Sequence, residues 1–127
     1  MLKAPVISIV DDDESVREAT KILVRSLGYA AEAFSSAEEY LRSGSVDESS
    51  CLITDLRMPG MSGAELQDQL IADGNRTPVI FITASSDEQI RTRVMDAGAI
   101  GFLRKPFDEQ SLIDCLNKAL AAESPQQ

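Results

Sequence analysis

The chain contains no histidine and no tryptophan, and only two cysteines among its 127 residues. Without histidine, Ser-His-Asp triads, histidine general bases and histidine-containing zinc sites are excluded. Cys51 and Cys115 lie in apolar stretches with no C-x-x-C spacing, which reads as small core residues kept reduced rather than as a redox pair. Tyrosine is confined to Tyr29 and Tyr40, which argues against a stacking platform for single-stranded nucleic acid. Positive charge is scarce too. Twelve Lys and Arg against 21 Asp and Glu leave a net charge of −9, a surface unsuited to direct binding of nucleic acid or anionic membrane. No apolar run is long enough to span a bilayer, and no charged start followed by an apolar stretch reads as a signal peptide. The expected location is the cytoplasm.

What is present is the composition of one ordinary globular domain, 43% hydrophobic and 26% charged. Apolar β-branched runs alternate with amphipathic ones. Val6-Ile7-Ser8-Ile9-Val10 reads as a strand and stops at Asp11-Asp12-Asp13. A helix is expected over 14–27, with Val16, Ala19, Leu23 and Leu27 near one face and Gly28 just past its end. A weaker strand follows over 29–34. Ser36 with Glu39 has the spacing of a capping box and opens a short helix through Leu41. The polar stretch 43–50 reads as loop. Cys51-Leu52-Ile53-Thr54 is the third strand and ends at Asp55; a loop from Leu56 to Gly63 leads into a helix through Ala72. Val79-Ile80-Phe81-Ile82 ends at Thr83, Ile90, Val94 and Ala97 mark the fourth helix, and a short strand over 100–103 ends at Arg104-Lys105-Pro106. Leu112, Ile113, Leu116, Ala119 and Leu120 make the amphipathic fifth helix. The expected division is a domain over 1–122 and a linker or tail beginning at 123–127.

Repeated βα units imply an α/β fold: a doubly wound, flavodoxin-like, five-stranded parallel sheet with five helices. The first, third and fourth strands are the most continuously apolar and belong inside. The second carries Glu32 and the fifth is short with Gly101, so both suit edges. The order is then 2-1-3-4-5.

Sites in such sheets form at the carboxyl ends of the strands. Asp11, Asp12 and Asp13, then Asp55, Thr83 and Lys105 should gather there. Crowded carboxylates need compensation, which Lys105 or a hard divalent cation supplies, and an all-oxygen acidic site suits magnesium. A carboxylate is already ionised at neutral pH and attacks phosphorus without a general base. Each residue alone has a plainer explanation: Asp11 to Glu14 as a solvated helix start, Thr83 as a β-former, Lys105 as surface charge, Phe102 as core. Their coincidence at one sheet edge favours the chemical one.

Val10-Asp11-Asp12-Asp13, Thr54-Asp55-Leu56-Arg57-Met58-Pro59, Met61-Ser62-Gly63, Thr83-Ala84 and Lys105-Pro106-Phe107 together resemble the receiver domain of two-component response regulators. The resemblance covers 4–122 and is closest to receivers of the FixJ/NarL type. It implies Asp55 as phosphoacceptor and Mg2+ or Mn2+ as cofactor. Asp12 would ligate the metal directly, Asp11 mainly through water, and Asp55 and the Arg57 carbonyl oxygen would complete the protein's share. Lys105 would pair with the phosphoryl group, with a cis bond to Pro106. Thr83 and Phe102 would be the switch pair. The implied partners are a cognate histidine kinase, docking near Val16, Ala19, Thr20, Leu23 and Pro106-Phe107, and a second copy of the chain. That homodimer would form on phosphorylation through the fourth helix, fifth strand and fifth helix, with Arg91, Val94, Leu103 and Arg104 on that face. The implied output is transcription through a DNA-binding domain absent from this chain, and the domain is a phosphoacceptor rather than an enzyme. Ser85-Ser86-Asp87 departs from the Gly-rich or His-containing loop of near FixJ relatives. Two other readings are a phosphatase of the haloacid dehalogenase type, with Asp11 as nucleophile in D-x-D, and a degenerate receiver that only binds partners.

Overall fold

The computed structural model describes residues 4–123. Along the chain it runs β1 (Val6–Val10), α1 (Glu14–Ser26), β2 (Ala30–Phe34), α2 (Ala37–Arg42), β3 (Cys51–Thr54), α3 (Gly63–Ala72), β4 (Val79–Thr83), α4 (Glu88–Asp96), β5 (Gly101–Arg104) and α5 (Glu109–Glu123). All strand pairs are parallel, in the order β2-β1-β3-β4-β5. The expected architecture is the one found.

Alternate side chains of each strand point to opposite faces, and this divides the core in two. Ile7, Ile9, Cys51, Ile53, Ile80 and Ile82 pack with Val24 of α1 and Leu112 and Leu116 of α5. Val10, Leu52, Val79 and Phe81 pack on the other side with Tyr40 of α2, Leu66 and Leu70 of α3 and Val94 of α4. The central strands are apolar on both faces because helices cover both. Ser8, mid-strand in β1, is a fully buried exception, and its hydroxyl meets Ser49 Oγ at 2.6 Å, which also meets the Tyr40 hydroxyl at 2.8 Å. Burial pushes the Tyr40 phenol above its ordinary value.

Several local expectations change. The stretch expected as loop holds a single 3-10 turn over Val46–Glu48. Ser36 does cap α2 by accepting from the Glu39 N–H at 3.0 Å, but the Glu39 carboxylate turns to Ser35 instead, taking its N–H and its hydroxyl at 2.8 Å each. Two donors on Ser35 outcompete the one N–H of Ser36. A complete capping box forms at Ser62 and Glu65, opening α3. Val94 was expected on an exposed face and is instead 0% exposed, while Arg91 and Arg104 are exposed. It sits at the position of α4 that turns toward Phe81 and Leu66. α5 continues one residue past the expected boundary, to Glu123, and the rest of the expected tail, 124–127, lies outside the described residues. No helix among the described residues is long and apolar enough to cross a membrane.

Candidate functional site

Strand register places the site. Val10 is the partner of Thr54, so the next residues, Asp11 and Asp55, leave the sheet side by side. Thr83 is the partner of Arg104, so Lys105 starts beside β4 and its long side chain crosses back toward β3 and β1. Carboxylate oxygens of Asp11, Asp12 and Asp55 lie within 4.8 Å of one another. Lys105 Nζ donates to Asp55 Oδ2 at 2.9 Å and to Asp11 Oδ2 at 3.1 Å. Asp11 and Asp55 are 3% and 7% exposed, whereas Asp12 is open to solvent. Burial penalises the Asp11 carboxylate and, with the Asp55 charge, lifts its pKa despite the Asp13 N–H and Lys105. Burial also works against the Lys105 ammonium, but its bonds to Asp55 and Asp11 outweigh that and its pKa is raised.

Asp13, the third acid of the run, has a different job. Its Oδ1 accepts from the N–H groups of Ser15 and Val16 at 2.9 and 3.3 Å and caps α1. The acidic run is thus part site and part helix start. The Asp11 backbone is held by Arg17, whose guanidinium donates to the Asp11 carbonyl at 2.7 Å.

Asp55 Oδ1 accepts from the N–H groups of Leu56 and Arg57 at 2.6 and 3.3 Å. These bonds fold the chain back on its own side chain and keep the Arg57 backbone beside the carboxylate. The Arg57 side chain leaves the pocket and pairs with Asp87 at 3.8 Å. Gly63 presses on the same turn: its N–H donates to the Leu56 carbonyl at 2.8 Å, and a Cβ on it would lie 2.2 Å from the Asp55 carbonyl oxygen.

Thr83 is 1% exposed, and its Oγ1 accepts from the Ser85 N–H at 3.1 Å. As an acceptor there, the hydroxyl keeps its own proton to donate elsewhere. Phe102 is half-buried, with its ring 6.4 Å from Phe81 and the Arg91 guanidinium 5.8 Å above it. The Lys105–Pro106 bond is cis, as expected. Between α1 and this turn lies a groove of about 520 Å³ lined chiefly by Val16, Ala19, Leu23, Pro106 and Phe107, with the buried Thr20 hydroxyl donating to the Val16 carbonyl in its floor.

The three carboxylates fit a hard divalent cation. Their donors are all oxygen, one of the three is solvent-accessible for entry, and with Lys105 the group carries a formal charge near −2. Of three residues that shape the site, Arg17 and Glu38 escaped the sequence reading, and Gly63 was read only as part of the Met61-Ser62-Gly63 resemblance. Gly63 works by a close approach, Arg17 through a backbone carbonyl, and Glu38 of α2 through a bond to Met61 N–H at 2.8 Å. A glycine directly after a helix-capping serine was a usable signal for the first; sequence spacing offers none for Glu38, 23 residues from its partner.

A family model described as the response regulator receiver domain matches residues 7–117, from β1 into α5. The response regulator protein TodT of Pseudomonas putida is 43% identical over 125 residues, covering 98% of this chain and 55% of TodT. The chain thus spans about half the length of the curated relatives it matches. Among solved structures, the response regulator StyR superposes with a TM-score of 0.88 at 45% identity, over 95% of this chain and 61% of that one. The crystal structure of FixJ-N superposes with a TM-score of 0.86 at 32% identity, over 98% of this chain and 100% of that one. A haloacid dehalogenase fold is therefore set aside.

Proposed function

Because the chain belongs to the response regulator receiver domain family of two-component systems, we propose that Asp55 is its phosphoacceptor and that a histidine kinase is the donor. The chain has no histidine of its own, so a phosphohistidine donor is external. An Asp55 carboxylate oxygen attacks phosphorus, the P–N bond breaks, its electron pair returns to the donor imidazole, and an acyl phosphate forms on Asp55. The observation that carries this reading is Lys105 bridging Asp55 and Asp11 at 2.9 and 3.1 Å. An ammonium already held against the acceptor carboxylate supports this role, since it would meet the charge that gathers on the transferred oxygens.

Asp11, Asp12, Asp55 and the Arg57 carbonyl would hold Mg2+ or Mn2+, which supplies charge neutralisation for the entering phosphoryl oxygens. Thr83 would donate its hydroxyl proton to one of those oxygens. If Thr83 moves to reach that oxygen it draws away from the Ser85 N–H, and Phe102 would turn into the vacated space by giving up its place under Arg91. This biases the α4–β5–α5 face between two arrangements. With Val94 interior, that face consists of exposed Arg91 and Arg104 beside half-buried Leu103, and it would join a second copy. The groove beside Pro106 suits the kinase. Relatives named as transcriptional regulators support transcription as the output, through a DNA-binding domain absent from this chain, in the cytoplasm. The domain would assist its own phosphorylation and dephosphorylation and turn over no separate substrate.

Intact mass after incubation with Mg2+ and acetyl phosphate tests the acceptor. Wild type should gain one phosphoryl group and Asp55→Asn none. Gain in both would move the acceptor to Asp11. Gain in neither would favour a degenerate partner-binding module, and phosphotransfer from purified kinase would then decide.

A further inference from the structure

α2 carries two successive glutamates with separate tasks. Glu39 folds back on Ser35 at its own helix start. Glu38 reaches out to another loop: its Oε2 accepts the Met61 N–H at 2.8 Å. Gly60, at φ +76, leaves the carboxylate room, since a Cβ there would lie 2.5 Å from Oε2. The loop 56–62 is therefore tied at both ends. Near β3 it is fastened by Leu56 and Arg57 N–H on Asp55 Oδ1; near α3 it is fastened by Glu38 and by the Ser62–Glu65 capping box. The Arg57 carbonyl follows directly on the first tie, in the stretch that the Met61 tie closes. A carboxylate accepting a backbone N–H makes a charge-assisted bond, stronger than a neutral one.

We propose that Glu38 is a positioning residue of the cation site, holding the 56–62 loop through Met61 so that the Arg57 carbonyl stays in reach of the Asp11–Asp12–Asp55 cluster. It touches neither the cation nor the phosphoryl group. The inference rests on the cation-site reading above.

The test compares Glu38→Ala and Glu38→Gln in the full chain, with circular dichroism confirming the fold. Glu38→Ala should weaken Mg2+ binding by roughly tenfold in calorimetry, the low end for residues that support a metal ligand. Without metal, the Met61 amide should exchange faster. The Mg2+ concentration for half-maximal phosphorylation by acetyl phosphate should rise, while the rate at saturating Mg2+ stays within about twofold. Glu38→Gln keeps an acceptor oxygen and should restore most of the affinity. Wild-type Mg2+ affinity in Glu38→Ala would overturn the proposal alone. Equal loss in both variants with Met61 amide exchange as in wild type would also overturn it, assigning the effect to charge rather than to the bond. A wild type that takes up no Mg2+ would overturn the cation site and this inference together.

Discussion

Asp11 shows what the site costs the fold. Its carboxyl is raised above its ordinary value, first by burial and then by Asp55, against the Asp13 N–H and Lys105. Folding therefore favours the protonated form. The stability this gives is complete below the ordinary carboxyl range and is lost as pH rises through the raised value. Near neutral pH and without cation, ionised Asp11 works against the native state. Asp11→Asn should gain about 1 kcal/mol at neutral pH in chelator, read by urea denaturation, and the gain should fade as pH drops below the carboxyl range. A less stable variant would mean that the bond to Lys105 outweighs the burial penalty. Gly63 makes the opposite case. A Cβ there would meet the Asp55 carbonyl at 2.2 Å, a backbone atom that cannot swing aside. Gly63→Ala should lose about 1–3 kcal/mol by the same assay. Asp11, Asp55, Thr83 and Lys105 were legible from sequence because each follows or ends an apolar run. Arg17 and Glu38 were not, and Gly63 only as a motif letter without its role, because each acts on a backbone atom, which leaves no mark in residue type at the partner position.

Among the elements, α4 and the turn before it are joined by side chains that each accept from a residue further along. Thr83 accepts from Ser85, Ser85 Oγ accepts from the Asp87 N–H at 3.2 Å, and Asp87 Oδ1 caps α4 through Gln89 and Ile90 at 3.0 and 3.3 Å. At the other end of the helix, Gln67 of α3 donates to the Val94 carbonyl at 3.0 Å. The Ser85-Ser86-Asp87 departure is thus a hydrogen-bonded turn. Asp87→Ala should cost about 1 kcal/mol and speed amide exchange in the first turn of α4, while exchange in α1 stays as in wild type. Thr83→Val removes the first acceptor and should loosen the Ser85 amide without uncapping the helix. Helices and strands were legible from period and stop signals. The exchange of partners at Ser35 was not, because it is decided by how many donors compete for one carboxylate.

For the molecule as a whole, the sheet separates two cores, and the α4 side holds Thr83's neighbours, Phe81 and Phe102. Strand order was legible because burial on both faces demands continuous apolar strands. The position of Val94 was not, since helical spacing names a buried stripe without saying which flank stays exposed. Mg2+ at free concentration c should stabilise the fold by RT ln(1 + c/Kd), about 2.7 kcal/mol at a hundredfold excess over its dissociation constant, read as a rise in melting temperature that Asp11→Asn should blunt. Sedimentation with acetyl phosphate and Mg2+ should show a dimer, and Arg91→Glu should weaken it while leaving phosphoryl uptake on Asp55 intact. A monomer under conditions of complete uptake would remove the α4–β5–α5 dimer from the scheme.

The close contact of Gly63 with the Asp55 backbone has an evolutionary consequence. A saturation library screened for folding alone should tolerate many residues at Asp11, where burial works against the charge, and at the exposed Asp12, yet reject nearly everything at Gly63. Screened for phosphoryl uptake, the same library should become intolerant at all three. A lineage drifting away from signalling would then shed its acids first and keep its glycine.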